Sequence, residues 1–262
     1  MPGFVGRLAL GGKRMGNEKA AIYHDFFAEK EDLPFFRRLM LRLGGPVLDL
    51  GCGIGAIAID LAGAGLDVVA IDNSSYMLEV ARSKWEKLVP SVKERIEFVE
   101  EDMRDFPYPR QFASAIAARG SFAYLLSTAD QLDCLANLRK LLATGGKILL
   151  DLFPPSLDLL RGGTDFERSV AADGETTLVR ITYTRCDLNR QRCRSTITYQ
   201  QYKGGILVEQ VLAESVTSLL FPRETLLLLR QSGFTVEEVF GDTTGGSFNG
   251  DSRRLIVVAG KE

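Results

Sequence analysis

The chain has 262 residues, 45% of them hydrophobic and 25% charged, with a formal net charge of −2 and a pI near 5.7. That balance describes a globular chain able to bury a full core; without a basic stripe for a nucleic-acid backbone, large polyanionic partners are disfavoured. No run of 18 apolar residues occurs, the opening Met1-Pro2-Gly3-Phe4-Val5 lacks the apolar centre of a signal peptide, and Cys52, Cys134, Cys186, Cys193 and the single His24 show no metal-ligand spacing, so a cytoplasmic, metal-free protein is expected.

Residues 1 to 17, rich in glycine with scattered Arg and Lys, read as a poorly ordered arm. Helix is expected from about Asn17, where Ile22, Tyr23, Phe26 and Phe27 recur at helical spacing, and again from Asp32 to Leu43. Next comes Val47-Leu48-Asp49-Leu50, an apolar strand pattern that runs into Gly51, Gly53 and Gly55 on alternate positions and then into a helix over Ile54 to Ala64. Glycines there let the chain turn sharply, bring backbone N–H groups close to a ligand, and start a helix with its positive end toward that ligand. Gly51, Gly53 and Ala56 also satisfy the G-x-G-x-x-G/A dinucleotide pattern, so a nicotinamide-dependent oxidoreductase stands as an alternative at this point.

Strand two is expected over Asp67 to Asp72, ending in an acid at the distance where a carboxylate binds ribose hydroxyls. Asn73 and Ser74 open the next helix, with Met77 and Val80 on one side. Strand three, Arg95 to Glu100, leads into Asp102 and Met103. Strand four, Phe112 to Ala118, leads into a loop through Arg119 and Tyr124, at the strand edge where open α/β sheets bind ligands. A leucine-rich helix around residues 132 to 142 and strand five, Lys147 to Leu152, complete a βαβ series. Residues 156 to 219 then alternate apolar and polar in Leu178 to Tyr183 and in Ser195 to Tyr199, which predicts two or three half-buried antiparallel strands. This insertion reads as a lid over the site, the alternative being a dimerisation or stability appendage. Cys186 and Cys193 flank its turn and could face each other, but free thiols are the expectation in a reducing compartment. A helix from Pro222 and a hairpin of Phe234 to Phe240 with Arg254 to Ala259 close the chain.

Taken together, Asp49-Leu50-Gly51-Cys52-Gly53-Ile54-Gly55, the acid Asp72 ending strand two and the acid Asp102 after strand three resemble the class I S-adenosylmethionine-dependent methyltransferases. The resemblance implies a Rossmann-like, doubly wound seven-stranded α/β sheet with an antiparallel last strand, plus the small antiparallel insertion. Its division would be a helical cap (1–44), a cofactor core (45–155 and 220–262) and an acceptor-side insertion (156–219). It also implies that the backbone at Gly51, Cys52, Gly53 and Gly55 passes under the methionine and ribose of S-adenosylmethionine. Asp49 would orient the loop or the cofactor amino group. Asp72, Asn73 and Met77 would meet ribose and adenine, Asp102 and Met103 would also contact the cofactor, and Ala118 the methionine. A Tyr-Asp-x-Phe-like start, with His24 interposed, would set Tyr23 over the sulfonium, since an aromatic ring attracts a cation. More narrowly, that start, Phe153-Pro154 after strand five, the insertion and Ser218 to Glu224 resemble bacterial amino-sugar N,N-dimethyltransferases. The activity implied is methyl transfer to N or O of a small-molecule acceptor. His24 and Tyr124, with Tyr183 behind them, are the candidates to handle a proton. A non-catalytic cofactor-binding subunit or a homodimer is also compatible with this pattern.

Overall fold

The computed structural model describes residues 18–27, 30–171 and 173–262; the arm expected over 1–17 lies outside the described residues. The first helices are α1 (Glu18–Phe26) and α2 (Leu33–Leu43), the latter with Pro34 in its first turn and Phe36, Leu39 and Met40 on its buried face. Then come β1 (Val47–Leu50), α3 (Ala56–Gly63), β2 (Val68–Asp72), α4 (Ser75–Trp85), the single turn α5 (Pro90–Lys93), β3 (Ile96–Glu100) and β4 (Phe112–Ala117). A 3-10 turn (Ser121–Tyr124) leads to α6 (Thr128–Leu141) and β5 (Leu142–Leu152). The insertion holds α7 (Leu157–Arg161), β6 (Gly163–Val170), β7 (Thr176–Asp187), β8 (Arg192–Lys203) and β9 (Ile206–Ser218). The chain closes with α8 (Pro222–Gln231), β10 (Phe234–Phe240) and β11 (Leu255–Lys261).

Seven strands form one sheet in the order β10-β11-β5-β4-β1-β2-β3, in which β11 alone runs against its neighbours. Strands β1 and β2 are buried along their whole length, as central strands covered by helices on both sides must be. Alternation divides their side chains between two cores. Leu48, Leu50, Val69 and Ile71 pack with Leu135 and Leu138 of α6 on one face; Val47, Val68 and Ala70 pack with Phe36 and Leu61 on the other. The first strand to reverse order, β4 beside β1, opens the crevice at the strands' C-terminal ends where ligands bind in such sheets.

The insertion is a separate four-stranded antiparallel sheet, β6-β7-β8-β9, one strand more than the sequence predicts. The unread strand, β6, is an edge exposed along nearly its whole length, so its sequence carries no alternation to betray it. A third small core seats this sheet on the rest of the molecule: Leu178, Tyr199, Val211 and Ala213 from the insertion meet Tyr23 of α1, Met77 of α4 and Ile54 of the glycine loop. Cys186 and Cys193 are register partners across the β7–β8 hairpin, with Cα atoms 4.0 Å apart, and form a disulfide. Free thiols at these two positions were the expectation; the antiparallel register brings them together within bonding reach. Cys52 and Cys134 take no part in that disulfide.

Candidate functional site

The glycine loop between β1 and α3 is the hub of two adjoining cavities of about 140 and about 330 Å³. Gly51, Gly53 and Gly55 all adopt left-handed φ, at 67°, 56° and 75°. Two of them serve different ends. A Cβ on Gly53 would meet nothing within 4 Å, because that side of the loop is open cavity; a Cβ on Gly55 would lie 2.9 Å from the Phe98 ring. Gly53 therefore keeps a cradle clear, whereas Gly55 lets the start of α3 approach β3.

The smaller cavity is lined by Gly51, Asp72, Asn73, Asp102, Met103 and Tyr124, all expected at the site. Asp72, 1% exposed at the end of β2, accepts the Gly53 N–H at 2.8 Å and the Ser74 N–H at 3.0 Å. Those bonds hold the glycine loop against the start of α4, whose N-cap is Ser74. Asp102 is gripped by Arg104, whose backbone N–H and guanidinium Nε both lie 2.9 Å from Oδ1 and whose Nη1 reaches Asp130 at 2.7 Å. The Arg104 bonds hold the Asp102 carboxyl below its ordinary range, and hydrogen bonds from Ser127 and then Arg104 do so for Asp130. Arg104 and Asp130 escape sequence reasoning, because nothing in a spacing of 26 residues marks a pair. With Asp72, Glu101, Asp102 and Asp130 around it, this cavity suits ribose hydroxyls and a cationic ligand and would repel a pyrophosphate.

The larger cavity takes in His24, Asp49, Cys52, Gly53, Met77 and Ala118, and shares Gly51 and Tyr124 with the smaller one. Two of the residues expected to bind the cofactor lie outside both linings. Gly55 is occupied by its packing on Phe98. Tyr23 is buried under the insertion, stacked on Tyr199 with ring centroids 5.9 Å apart, its hydroxyl donating to Glu209 and lying 3.0 Å from the Gln201 side-chain amide. His24, one residue on, is the helix position that faces the cavity.

Over this cavity stands the inner face of the insertion, with Arg180 and Thr182 from β7 and Ile197 and Tyr199 from β8. Period-two alternation turns Thr182 in and Tyr183 out, so Tyr183, 48% exposed, is no partner for a ligand here. Sequence alternation identifies both strands, but which parity faces inward is set by the seating of Tyr199 on α1. Tyr199 is 1% exposed, and burial pushes its phenol up to about 12; burial and the bond to Glu209 push Tyr23 to about 12 also. Arg180 sits 5.0 Å above the Phe27 ring and pairs with Glu167 on β6.

The floor of the larger cavity is the turn after β4. Arg119 has φ 51°, a left-handed conformation that costs a side-chain-bearing residue about 1–2 kcal/mol. Its N–H donates to Asp151 Oδ2 at 2.6 Å and its Nε to Asp32 at 3.0 Å, while Gly120 N–H donates to the Asp151 carbonyl at 2.9 Å. Asp151 and Asp32 are 0% and 2% exposed. Arg254 forks onto both Asp151 oxygens, with Nε 2.9 Å from Oδ1, and reaches Asp32 at 3.3 Å. Burial lifts the Asp151 carboxyl despite these cations. Phe153, which lines the same cavity, lies under the Arg254 guanidinium at 5.2 Å, with Phe36 on the other ring contact at 5.5 Å. Arg119 and Phe153 stand out in the sequence; Asp151 and Arg254, far apart in the chain, do not.

Among known proteins, residues 47–146 match a methyltransferase domain. The cypemycin N-terminal methyltransferase of a Streptomyces species is 28% identical over 215 residues, which cover 82% of each chain. The solved structure of the methyltransferase CcbJ from Streptomyces caelestis superposes with a TM-score of 0.78 at 22% identity, covering 93% of this chain and 96% of that one. The sugar N-methyltransferase KedS8 from a Streptoalloteichus species superposes over the whole of both chains with a TM-score of 0.74 at 20% identity. The fold is that of the class I S-adenosylmethionine-dependent methyltransferases.

Proposed function

We propose that this chain is an S-adenosylmethionine-dependent methyltransferase that methylates the nitrogen of a small amine entering beneath the β6–β9 sheet, a reading that the methyltransferase-domain match and the relatives support. The observation that carries this reading is the continuity of the two cavities through Gly51 and Tyr124. A ligand whose ribose meets Asp72 extends past the glycine loop into the chamber that the insertion roofs. The names of the relatives, two of which specify an N-terminal or a sugar nitrogen, support nitrogen over oxygen.

When bound, the cofactor supplies an electrophilic methyl group on a sulfonium. The chain's own work is to hold and orient. Asp72 takes the ribose hydroxyls while fixing the loop; Asp49 orients the amino end; Asn73, Met77, Asp102 and Met103 border the nucleoside; Cys52, Gly53 and Ala118 border the methionine. Holding two reactants in line supplies about 7–11 kcal/mol of barrier lowering, so a strong base is not required. An acceptor arriving as ammonium must still lose a proton, and His24 is the group on the cavity wall whose ordinary pKa suits that task. Tyr199, with its phenol near 12, stays protonated and serves as a donor, and Tyr124 borders the acceptor where the cavities meet.

In this reading the 156–219 insertion is the acceptor side and 45–155 with 220–262 the cofactor side, and the enzyme works in the cytoplasm. Among the described residues no helix is long and apolar enough to cross a membrane. Phe166 and Leu212, exposed on one outward row of the insertion, support a homodimer.

The test is calorimetric titration with S-adenosylhomocysteine and with NADH, followed by methyl-label transfer to amino sugars, amino acids and peptides with free N-termini, each beside its hydroxyl analogue. Binding of the thioether and labelling of amines is expected. Tight NADH binding with no thioether response would end the proposal, and labelling of hydroxyl analogues alone would end its nitrogen part.

A further inference from the structure

The buried Asp151–Arg254 pair touches no open cavity wall of its own, yet both of its contacts do. Asp151 grips two successive amides of the turn after β4, those of Arg119 by its carboxylate at 2.6 Å and of Gly120 by its carbonyl at 2.9 Å. Ala118 and Arg119 of that turn form the cavity floor. Arg254 holds the Asp151 carboxylate by a fork and presents the face of its guanidinium to Phe153 on the cavity rim. Burying charges costs more than an apolar filling of the same space would, so such pairs are weak as stability devices and stronger as devices that fix one geometry. The geometry fixed here is an unfavourable one, the left-handed backbone at Arg119.

We propose that Asp151 and Arg254 are positioning residues that shape the methionine end of the cofactor site, by holding Arg119 in its left-handed turn and Phe153 against the opening. The proposal rests on the methyltransferase reading above. A carboxylate with two N–H partners from Arg254 cannot rotate away from the Arg119 amide, and a fork of this kind is a property of guanidinium that an ammonium cannot copy. Lys at 254 would keep the charge and lose the orientation.

The experiment measures S-adenosylhomocysteine affinity by calorimetry, with melting temperature alongside, in the full-length wild type, R254K, R254Q, D151N and the double variant D151N/R119G. R254K should bind about threefold to tenfold more weakly than wild type, and R254Q and D151N about tenfold or more. The discriminating arm is the double variant. Glycine adopts φ near 50° without steric cost, so R119G should recover affinity lost in D151N without recovering melting temperature. A purely structural pair would lower melting temperature in each single variant, leave affinity at wild-type strength below the melt, and gain nothing from glycine at 119; that pattern overturns the proposal. R254K is the conservative arm should D151N or R254Q fail to fold, and wild-type affinity in R254K likewise overturns it. If the wild type itself binds no thioether, the methyltransferase reading falls and takes this proposal with it, whereas tight wild-type binding with indifferent variants removes the positioning role alone.

Discussion

In the seven-stranded sheet the cavity is made where strands stop: Asp49 in β1, Asp72 at the end of β2, Asp102 after β3 and Ala118 after β4 arrive from four strand ends. In the four-stranded insertion it is made along strands, from alternate side chains of β7 and β8 in mid-run. The first construction relies on backbone groups and buried carboxylates, so its chemistry is tied to the chain's turns and is hard to vary. The second presents a row of side chains on a pleated surface, where one substitution changes the ligand without moving the backbone. A constant ligand beneath the first and a variable one beneath the second is what that difference leads one to expect.

Four substitutions bear on this contrast. Tyr199→Ala removes the largest fully buried side chain of the insertion and should destabilise by about 3–5 kcal/mol, the range for a buried large aromatic; a melting shift near zero would mean the insertion is not seated on α1 as described. Asp72→Ala should weaken S-adenosylhomocysteine binding by the loss of one or two hydrogen bonds to a charged group, about 1.5–3 kcal/mol each. Unchanged affinity by calorimetry removes Asp72 from the site. Gly53→Ala and Gly55→Ala form a matched pair, each costing about 1–2 kcal/mol for left-handed backbone. Gly53→Ala should add a loss of cofactor affinity because its Cβ enters the cradle, and Gly55→Ala an added loss of stability because its Cβ meets Phe98. Equal behaviour of the two would contradict the division of roles.

The last effect is confined to alkaline pH. Folding raises Tyr23 and Tyr199 to about 12, whereas tyrosine in the unfolded chain ionises near 10. Below about pH 10 both states keep these protons and the folded state has its full advantage. As pH rises from 10 toward 12 the unfolded chain alone releases them, so stability falls. Denaturant unfolding at stepped alkaline pH should show that fall, and Tyr199→Phe should flatten it; an identical slope in the variant would rule Tyr199 out as a source.

The parallel sheet was legible because its signals are local. An apolar run into glycines and an acid closing a strand each lie within a few residues, and all but one of the expected glycine-loop positions line a cavity. Tyr23 shows the limit of that logic: helical spacing marks α1, but which of Tyr23 and His24 faces inward depends on how the helix seats against Tyr199, about 175 residues later. β6 was invisible because an exposed edge strand need not alternate. That Cys186 and Cys193 could face each other was legible from the turn between them; the expectation of free thiols rested on a reducing compartment, which no residue of the hairpin specifies. Arg254 and Asp151 carry no motif at all; only the pairing of β11 with β5 brings them together.

That pairing has a consequence for synthesis. Strand β11 follows β5 and β10 in the chain and lies between them in the sheet, so until residues 255–261 emerge the nascent sheet ends at β5 with an apolar edge of Ile148, Leu149 and Leu150 open to the solvent. Arg254 immediately precedes that strand. A ribosome that stalls or terminates before it would release a chain whose glycine loop, Asp72 and insertion are already made, but whose cavity floor has no clamp and whose open edge invites pairing with other chains.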